Sequence, residues 1–174
     1  MHAWIKGSLG GVLAAAAVGC STANAESEQA ALSRGEGRAA PGKVERLNPE
    51  ELFHNPAYSQ GIAVSGRVRT VYVGGQNAVD GTGAIVGAGN IREQTTQALQ
   101  NAEAVLNAGG AELRDVVKWN IHLLQGQPLQ EAFESYAEYW GANEPPAVTA
   151  SIVSGLANPE YLIEIDAIAI VPES

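Results

Sequence analysis

The residues best suited to chemistry lie in the last apolar run, Tyr161–Val171 ("YLIEIDAIAIV"), where two carboxylates, Glu164 and Asp166, stand two residues apart. Residues i and i+2 of a strand share a face. Flanked by Leu162, Ile163 and Ile165, Glu164 would sit in apolar surroundings and is the candidate to accept and return a proton. The plainer alternative is a side chain that simply faces solvent, and Asp166 reads as structural. A second candidate is Gly74-Gly75-Gln76, which closes a β run. Glycines there let a turn aim backbone N–H groups at a developing negative charge, as an oxyanion hole does. A tight turn alone explains them equally well. Other chemistries lack their parts. His54 stands isolated in "LFHNP", with no spaced His, Cys or acidic partner, so there is no zinc signature. Ser59 and Ser65 have no nucleophile-elbow context. Trp119, Asn120 and His122 alternate along one run without an assigned role, and a lone strand histidine more often serves a surface than a reaction.

The elements that must position these groups follow from hydrophobic spacing. "GIAVSGRVRTVYVGGQNAV" holds two β runs, Ile62–Ser65 and Thr70–Val73, joined by Gly66-Arg67, and predicts a hairpin. "NIREQTTQALQNAEAVLNAGG" predicts a helix whose apolar face is Ile91, Thr95, Ala98, Leu99, Ala102, Val105 and Leu106. Asn90 and Glu93 form its capping box and Gly109-Gly110 its left-handed stop. "DVVKWNIHLL" alternates as a strand, with Val117, Trp119, Ile121 and Leu123 against Lys118, Asn120 and His122. "PLQEAFESYAEYWG" predicts a second helix that opens at Pro128, buries Leu129, Ala132, Phe133, Tyr136 and Trp140, and stops at Gly141. "AVTASIV" and "YLIEIDAIAIV" are the last strands. The order β-β-α-β-α-β-β is an α+β domain with two helices on one face of a mixed sheet. Some apolar residues fall on the other face too, which predicts that it meets another subunit.

Composition bounds the partners. The 174 residues are 45% hydrophobic and 17% charged, with 10 Lys+Arg against 19 Asp+Glu and a net charge of −9. Without a cationic face, neutralising nucleic-acid phosphates or an anionic membrane surface is disfavoured. Residues 1–25 have one Lys, an apolar run from Gly7 to Gly19 and an Ala23-Asn24-Ala25 site, the anatomy of a secretory signal. The run is too short for a stable membrane span. Two exits compete: cleavage before Glu26, or lipidation of Cys20 in "AVGC", where Ala17 occupies the place of a larger aliphatic. Cys20 is the only cysteine, so the exported domain would have neither disulfide nor thiol nucleophile. Residues 26–45, opening with "ESEQAALSRGEGRAAPGK", read as a spacer, and residues 46–174 as the folded domain. The expected location is the bacterial periplasm, soluble or lipid-anchored.

Several segments together, "NPAYSQGIAVSG", "VYVGGQNAVDGTGAIVG", "EQTTQALQNAEAVLNAGGAELRDVVKWNIHL", "YAEYW", "PPAVTAS" and "LIEIDAIAIV", resemble the RidA/YjgF/endoribonuclease-L-PSP family from about Pro56 to Pro172. The resemblance implies a chorismate-mutase-like homotrimer with three clefts between subunits. It also implies hydrolysis of reactive enamines and imines, such as 2-aminoacrylate, to 2-keto acids and ammonia, with no metal or organic cofactor. By the same resemblance Tyr58 lines the cleft, backbone groups at Gly74-Gly75-Gln76 complete it, and Glu164 positions a water. Gly74 stands where a serine is usual, and Phe133 where an asparagine is frequent. Val148, in Pro146-Ala147-Val148-Thr149, stands where the family carries the arginine that pairs with the substrate carboxylate. Ala150 joins Val148 as a candidate ligand contact.

An isopropyl group in place of a guanidinium favours a neutral, more apolar ligand. Three functions follow as expectations, the least specific being a structural or interaction protein that uses the trimer surface. One is a hydrolase or deaminase acting on a small neutral imine, enamine or related metabolite with Glu164 as acid/base. Another is a non-catalytic trimer whose clefts hold a small ligand. A ribonuclease is disfavoured by the acidic chain.

Overall fold

The computed structural model of the protein describes residues 40–174. The signal segment, Cys20 and most of the spacer lie outside the described residues. Folded structure starts at β1 (Lys43–Leu47), inside the stretch 26–45 read as spacer, so regular structure begins three residues before position 46.

β1 pairs antiparallel with β2 (Gly61–Ser65) as a two-stranded ribbon. The expected hairpin between β2 and β3 (Val68–Gln76) does not form. The reason lies at the corner between them. Gly66 turns with φ of 74°, and a Cβ there would lie 2.2 Å from the Pro41 carbonyl oxygen. The incoming segment occupies the place a hairpin partner would need. Arg67 N–H donates to Ala40 O at 2.8 Å, and Glu173 N–H donates to Arg67 O at 2.9 Å. β2 therefore pairs back onto β1, and β3 turns to pair with the last strand.

α1 (Ile91–Ala108) is capped by Asn90, whose side-chain oxygen accepts from the N–H groups of Arg92 and Glu93. Such a cap contributes about 1 kcal/mol. Glu93 completes the motif through the Asn90 amide at 2.8 Å rather than through its backbone. Of the expected apolar face only Val105 is exposed; Gln94 is buried instead, donating to the Glu160 carbonyl and accepting from Leu162 N–H. Gly110, with φ of 69°, makes the left-handed stop, and Arg69 covers the carbonyls of Gly109 and Gly110.

After a short 3₁₀ turn (Leu113–Asp115), β4 (Val116–Leu124) enters the sheet. α2 (Leu129–Trp140) crosses over to β5 (Ala147–Val153), and β6 (Ile163–Pro172) closes the chain. The four-stranded sheet has the order β3-β6-β4-β5. β6 is antiparallel to both neighbours, while β4 and β5 are parallel, the one pairing that needs a crossover helix. Two helices on one face of a mixed sheet is the expected architecture, with one added strand at its front.

Register fixes which side chains share a face. Trp119, Ile121 and Leu123 of β4 lie opposite Ala167, Ile165 and Ile163 of β6, and opposite Val148, Ala150 and Ile152 of β5. This face carries the helices. Trp119 is wholly buried, edge-on to Trp140 at 6.0 Å between ring centroids, so its role is packing. The other face carries Lys118, Asn120 and His122 beside Glu164 and Asp166, with Thr149 and Ser151 at its edge. Its centre is polar, but the apolar Ile168 and the exposed Tyr72 of β3 share this face, so some apolar residues do fall on it as expected. Further exposed apolar side chains collect beside the helices. Leu129 and Phe133 of α2, expected to be buried, are 56% and 46% exposed, and Ile152 is 65% exposed. α2 overhangs β5, the edge strand among the described residues.

Candidate functional site

The overhang makes a cavity of about 510 Å³. β4 and β6 supply its floor through Ile121, Leu123, Ile163 and Ile165. α2 supplies one wall through Leu129, Ala132, Phe133 and Tyr136, and β5 the other through Val148, Ala150 and Ile152. Tyr58 closes one end. Four of the ligand contacts expected from sequence, Tyr58, Phe133, Val148 and Ala150, are therefore brought together. Among the described residues, no charged side chain lines this cavity.

Tyr58 reaches the cavity because the next residue is pinned. Ser59 is buried; its hydroxyl donates to Pro145 O at 2.7 Å and its N–H to Pro146 O at 2.8 Å. Arg46 adds a bond to the same Pro145 carbonyl at 3.2 Å and pairs with Glu144. The segment before β2 is thereby fixed to the entry of β5. Ser59 is a positioning group rather than a nucleophile.

The cavity has one unmatched polar atom. Tyr136 lies between Phe133 and the stacked ring of Trp140, and its buried hydroxyl has no hydrogen-bond partner. Burial pushes that phenol well above its usual range. It stays a neutral donor at any physiological pH.

Glu164 is not part of this cavity. It stands opposite His122 on the other face of the sheet, so the structure separates the expected acid/base from Val148. What surrounds Glu164 is a second construction, centred on a bulge in β3. Val73 pairs with Ala167 but Gln76 pairs with Ile165, so one extra residue is accommodated at Gly74-Gly75. Gly75 allows close approach: a Cβ on it would lie 2.5 Å from Glu164 Oε1 and 2.8 Å from its carboxyl carbon. The glycine pair expected to form a turn is instead a β-bulge with the Glu164 side chain lying over it. Gln76 folds back, its amide donating to Gly74 O at 3.0 Å. Asn77, which the sequence reading passed over, donates to Glu164 Oε2 at 3.3 Å.

Next to Glu164 on this face, Asp166 accepts from the Asn120 amide at 2.7 Å and lies 3.9 Å from His122 Nε2. Asp166 and Asn120 hold one another, consistent with a structural part for Asp166. Among the described residues no group of acidic, His and Cys side chains is placed to hold a metal ion. None of the described helices is long and apolar enough to cross a membrane.

The structure thus holds two half-sites: an uncharged cavity on the helix side of the sheet, and a carboxylate on a bulge on the open side. The missed cavity residues, Leu129, Ile152 and Tyr136, carried a signal. An apolar stripe on the overhanging start of a helix, beside an edge strand with Ile152 alternating outward, leaves more apolar surface than one layer covers.

Comparison with known proteins sets this geometry in a lineage. The profile of the endoribonuclease L-PSP family matches residues 51–171. A RutC family protein of Pyrococcus horikoshii is 40% identical over 113 residues, 64% of this chain and 85% of that protein. The human 2-iminobutanoate/2-iminopropanoate deaminase is 34% identical over 65% of this chain and 79% of its own length. A solved structure of a conserved Rid family protein from Yersinia pestis superposes with a TM-score of 0.66 at 30% identity, covering 74% of this chain and 98% of that one. The chain belongs to the RidA/YjgF/endoribonuclease L-PSP family.

Proposed function

We propose that this protein is a RidA-like hydrolase of the deaminase type that acts on a small neutral imine, enamine or related metabolite. The observation that carries the reading is the uncharged cavity with Val148 in its wall. The deaminases among the relatives are named for 2-imino carboxylates, whose anionic end needs a cation. A carboxylate entering this cavity would lose its hydration without gaining a partner, which is strongly unfavourable. A neutral ligand meets mostly apolar walls with a few uncharged polar side chains among them, Tyr58, Gln130 and Ser151.

The chemistry is addition of water across C=N. Glu164 takes a proton from the water as its oxygen bonds to the imine carbon. It returns that proton to nitrogen, giving a carbinolamine; Glu164 then carries the carbinol O–H proton to the same nitrogen, and ammonia leaves as the carbonyl forms. Because Glu164 and Val148 face opposite sides of the sheet in one chain, a cleft holding both must be shared between copies. A homotrimer supplies three such clefts, and the exposed Leu129, Phe133 and Ile152 are the surface a neighbour would cover. Export to the periplasm, with a mature start at Glu26 or a lipidated Cys20, is part of the same proposal; intact-mass analysis of the native protein tests it.

The second reading is a trimer that binds a neutral ligand without turnover, favoured by the absence of an acid/base inside the cavity itself. Glu164→Gln separates the two. The enzyme reading expects turnover of neutral imines to vanish while ligand affinity stays within about twofold, since a carboxamide keeps the shape and loses the proton acceptor. Undiminished turnover in that variant would remove Glu164 from the mechanism, and binding with no turnover in the native protein would establish the second reading.

A further inference from the structure

Among the described residues, the carboxylate of Glu164 is held through one oxygen. Its Oε2 accepts from Asn77 Nδ2 at 3.3 Å, while Oε1 lies over the bare backbone of Gly75. The same Asn77 nitrogen donates to the Ile163 carbonyl at 3.0 Å. Both partners are acceptors, so the NH₂ end of the amide must face them, and its two hydrogens serve one each. Asn77 thus bridges the backbone just before Glu164 to the tip of the Glu164 side chain.

Asn77 is itself tied down from the helix layer. Asn101 of α1 donates to the backbone carbonyls of Asn77 at 2.9 Å and Val79 at 2.8 Å, and accepts from Gln97 Nε2 at 2.8 Å. A chain of carboxamides, Gln97 to Asn101 to the Asn77 backbone and Asn77 to Glu164, therefore connects the interior of a long helix to a carboxylate at the β3 bulge. Each amide fixes the next by donating, and the series ends on the one group assigned to proton transfer.

We propose that Asn77 is a positioning residue for Glu164: it occupies Oε2 and leaves Oε1, above the Gly75 bulge, as the oxygen that exchanges a proton with water. This rests on the reading of Glu164 as the acid/base. The division of labour follows from geometry. A glutamate free in all its rotamers presents either oxygen, at a scatter of positions. Held at one oxygen and pressed against a glycine backbone, it presents the other at one place, and such placement governs rate rather than binding.

The test is Asn77→Leu, with Asn77→Gln as the conservative variant. Neither touches the Asn77 carbonyl that Asn101 holds, so the loop backbone keeps its anchor. In neutral-imine hydrolysis, Asn77→Leu should lower kcat about tenfold with KM within about twofold, and Asn77→Gln should recover part of the loss. An unchanged kcat would overturn the proposal. So would a fall in kcat matched by a rise in KM and loss of thermal stability that Asn77→Gln shares, which marks a merely structural residue. A second readout is independent of activity: side-chain NMR couplings of Glu164. They should report one rotamer in the native protein and averaging in Asn77→Leu; the same rotamer in both overturns the proposal even where kcat falls. If the native protein turns over no imine, the functional reading fails by that result, and the Glu164 couplings alone decide the role of Asn77.

Discussion

Replacing Val148 by arginine tests the reasoning about charge where it is most exposed. Val148 lies in the β5 wall of a 510 Å³ cavity that no charged side chain lines, leaving room for the longer side chain. A guanidinium–carboxylate pair contributes roughly 1.5–3 kcal/mol when partly buried. At about 1.4 kcal/mol per decade, that is about a 10- to 100-fold gain for an anionic 2-imino acid. Two effects work against it. In the empty cavity the new cation has no acidic partner and costs about 1–2 kcal/mol of stability, less if the side chain reaches out to the mouth. Gly74 and Phe133 also depart from the family pattern, so the gain should fall near the lower end. The assay couples a dehydratase that releases 2-aminoacrylate to keto-acid formation. The native protein should accelerate release poorly. Val148→Arg should raise kcat/KM about tenfold, mainly through KM, while turnover of neutral imines falls. If the native protein matches an arginine-bearing relative on 2-aminoacrylate, the cleft finds its anion by another route and the account of this valine is refuted.

Gly75→Ala should lower turnover about 10- to 100-fold, because its Cβ would lie 2.5 Å from Glu164 Oε1 and displace the carboxylate; unchanged turnover would show that this oxygen is not used. Ser59→Ala should cost about 1 kcal/mol in chemical denaturation and weaken ligand binding through Tyr58, since the part-buried Pro145 carbonyl loses the hydroxyl and keeps only Arg46. A loss of stability with ligand affinity intact would detach Tyr58 from the site. Asp80 accepts from the Thr82 hydroxyl and from the N–H groups of Thr82 and Ala84, which hold its carboxyl below the usual range. A depressed folded value means the stabilisation is complete above the ordinary aspartate range and lost as pH falls through the lower one. NMR titration should therefore place the Asp80 midpoint below that of an unfolded peptide, and an equal midpoint would contradict the loop geometry.

Much of the fold was legible because spacing and burial coincide. α1 and β4 follow their patterns nearly residue for residue, and β5 spans the residues expected. The failures have physical causes. The β2–β3 hairpin was inferred from two β runs and a Gly-Arg joint, but nothing local shows that Ala40–Gly42 arrives from far along the chain to occupy that corner. Leu129 and Phe133 share the helical stripe of Tyr136, and periodicity does not reveal that the sheet ends beneath them. At the site, residue types pointed to Glu164 and Gly75, and the family resemblance pointed to Val148. That Gly75 serves a bulge rather than a turn depends on the β3–β6 register. The placing of Glu164 and Val148 on opposite faces depends on β4 lying between their strands. Asn77 was passed over because an asparagine in a loop has many partners open to it until the fold chooses one.

The central claim is that one copy's carboxylate serves another copy's cavity, and co-assembly of two crippled variants tests it most directly. Glu164→Gln keeps the cavity and removes the acid/base; Val148→Trp keeps Glu164 and fills the cavity. Each alone should be inactive on neutral imines. Co-expressed in equal amounts and assembled as mixed rings, about a quarter of the clefts should pair an intact Glu164 with an intact cavity, restoring about a quarter of native activity. If both variants assemble and the mixture stays as inactive as its parts, the site is not shared between copies in the way proposed.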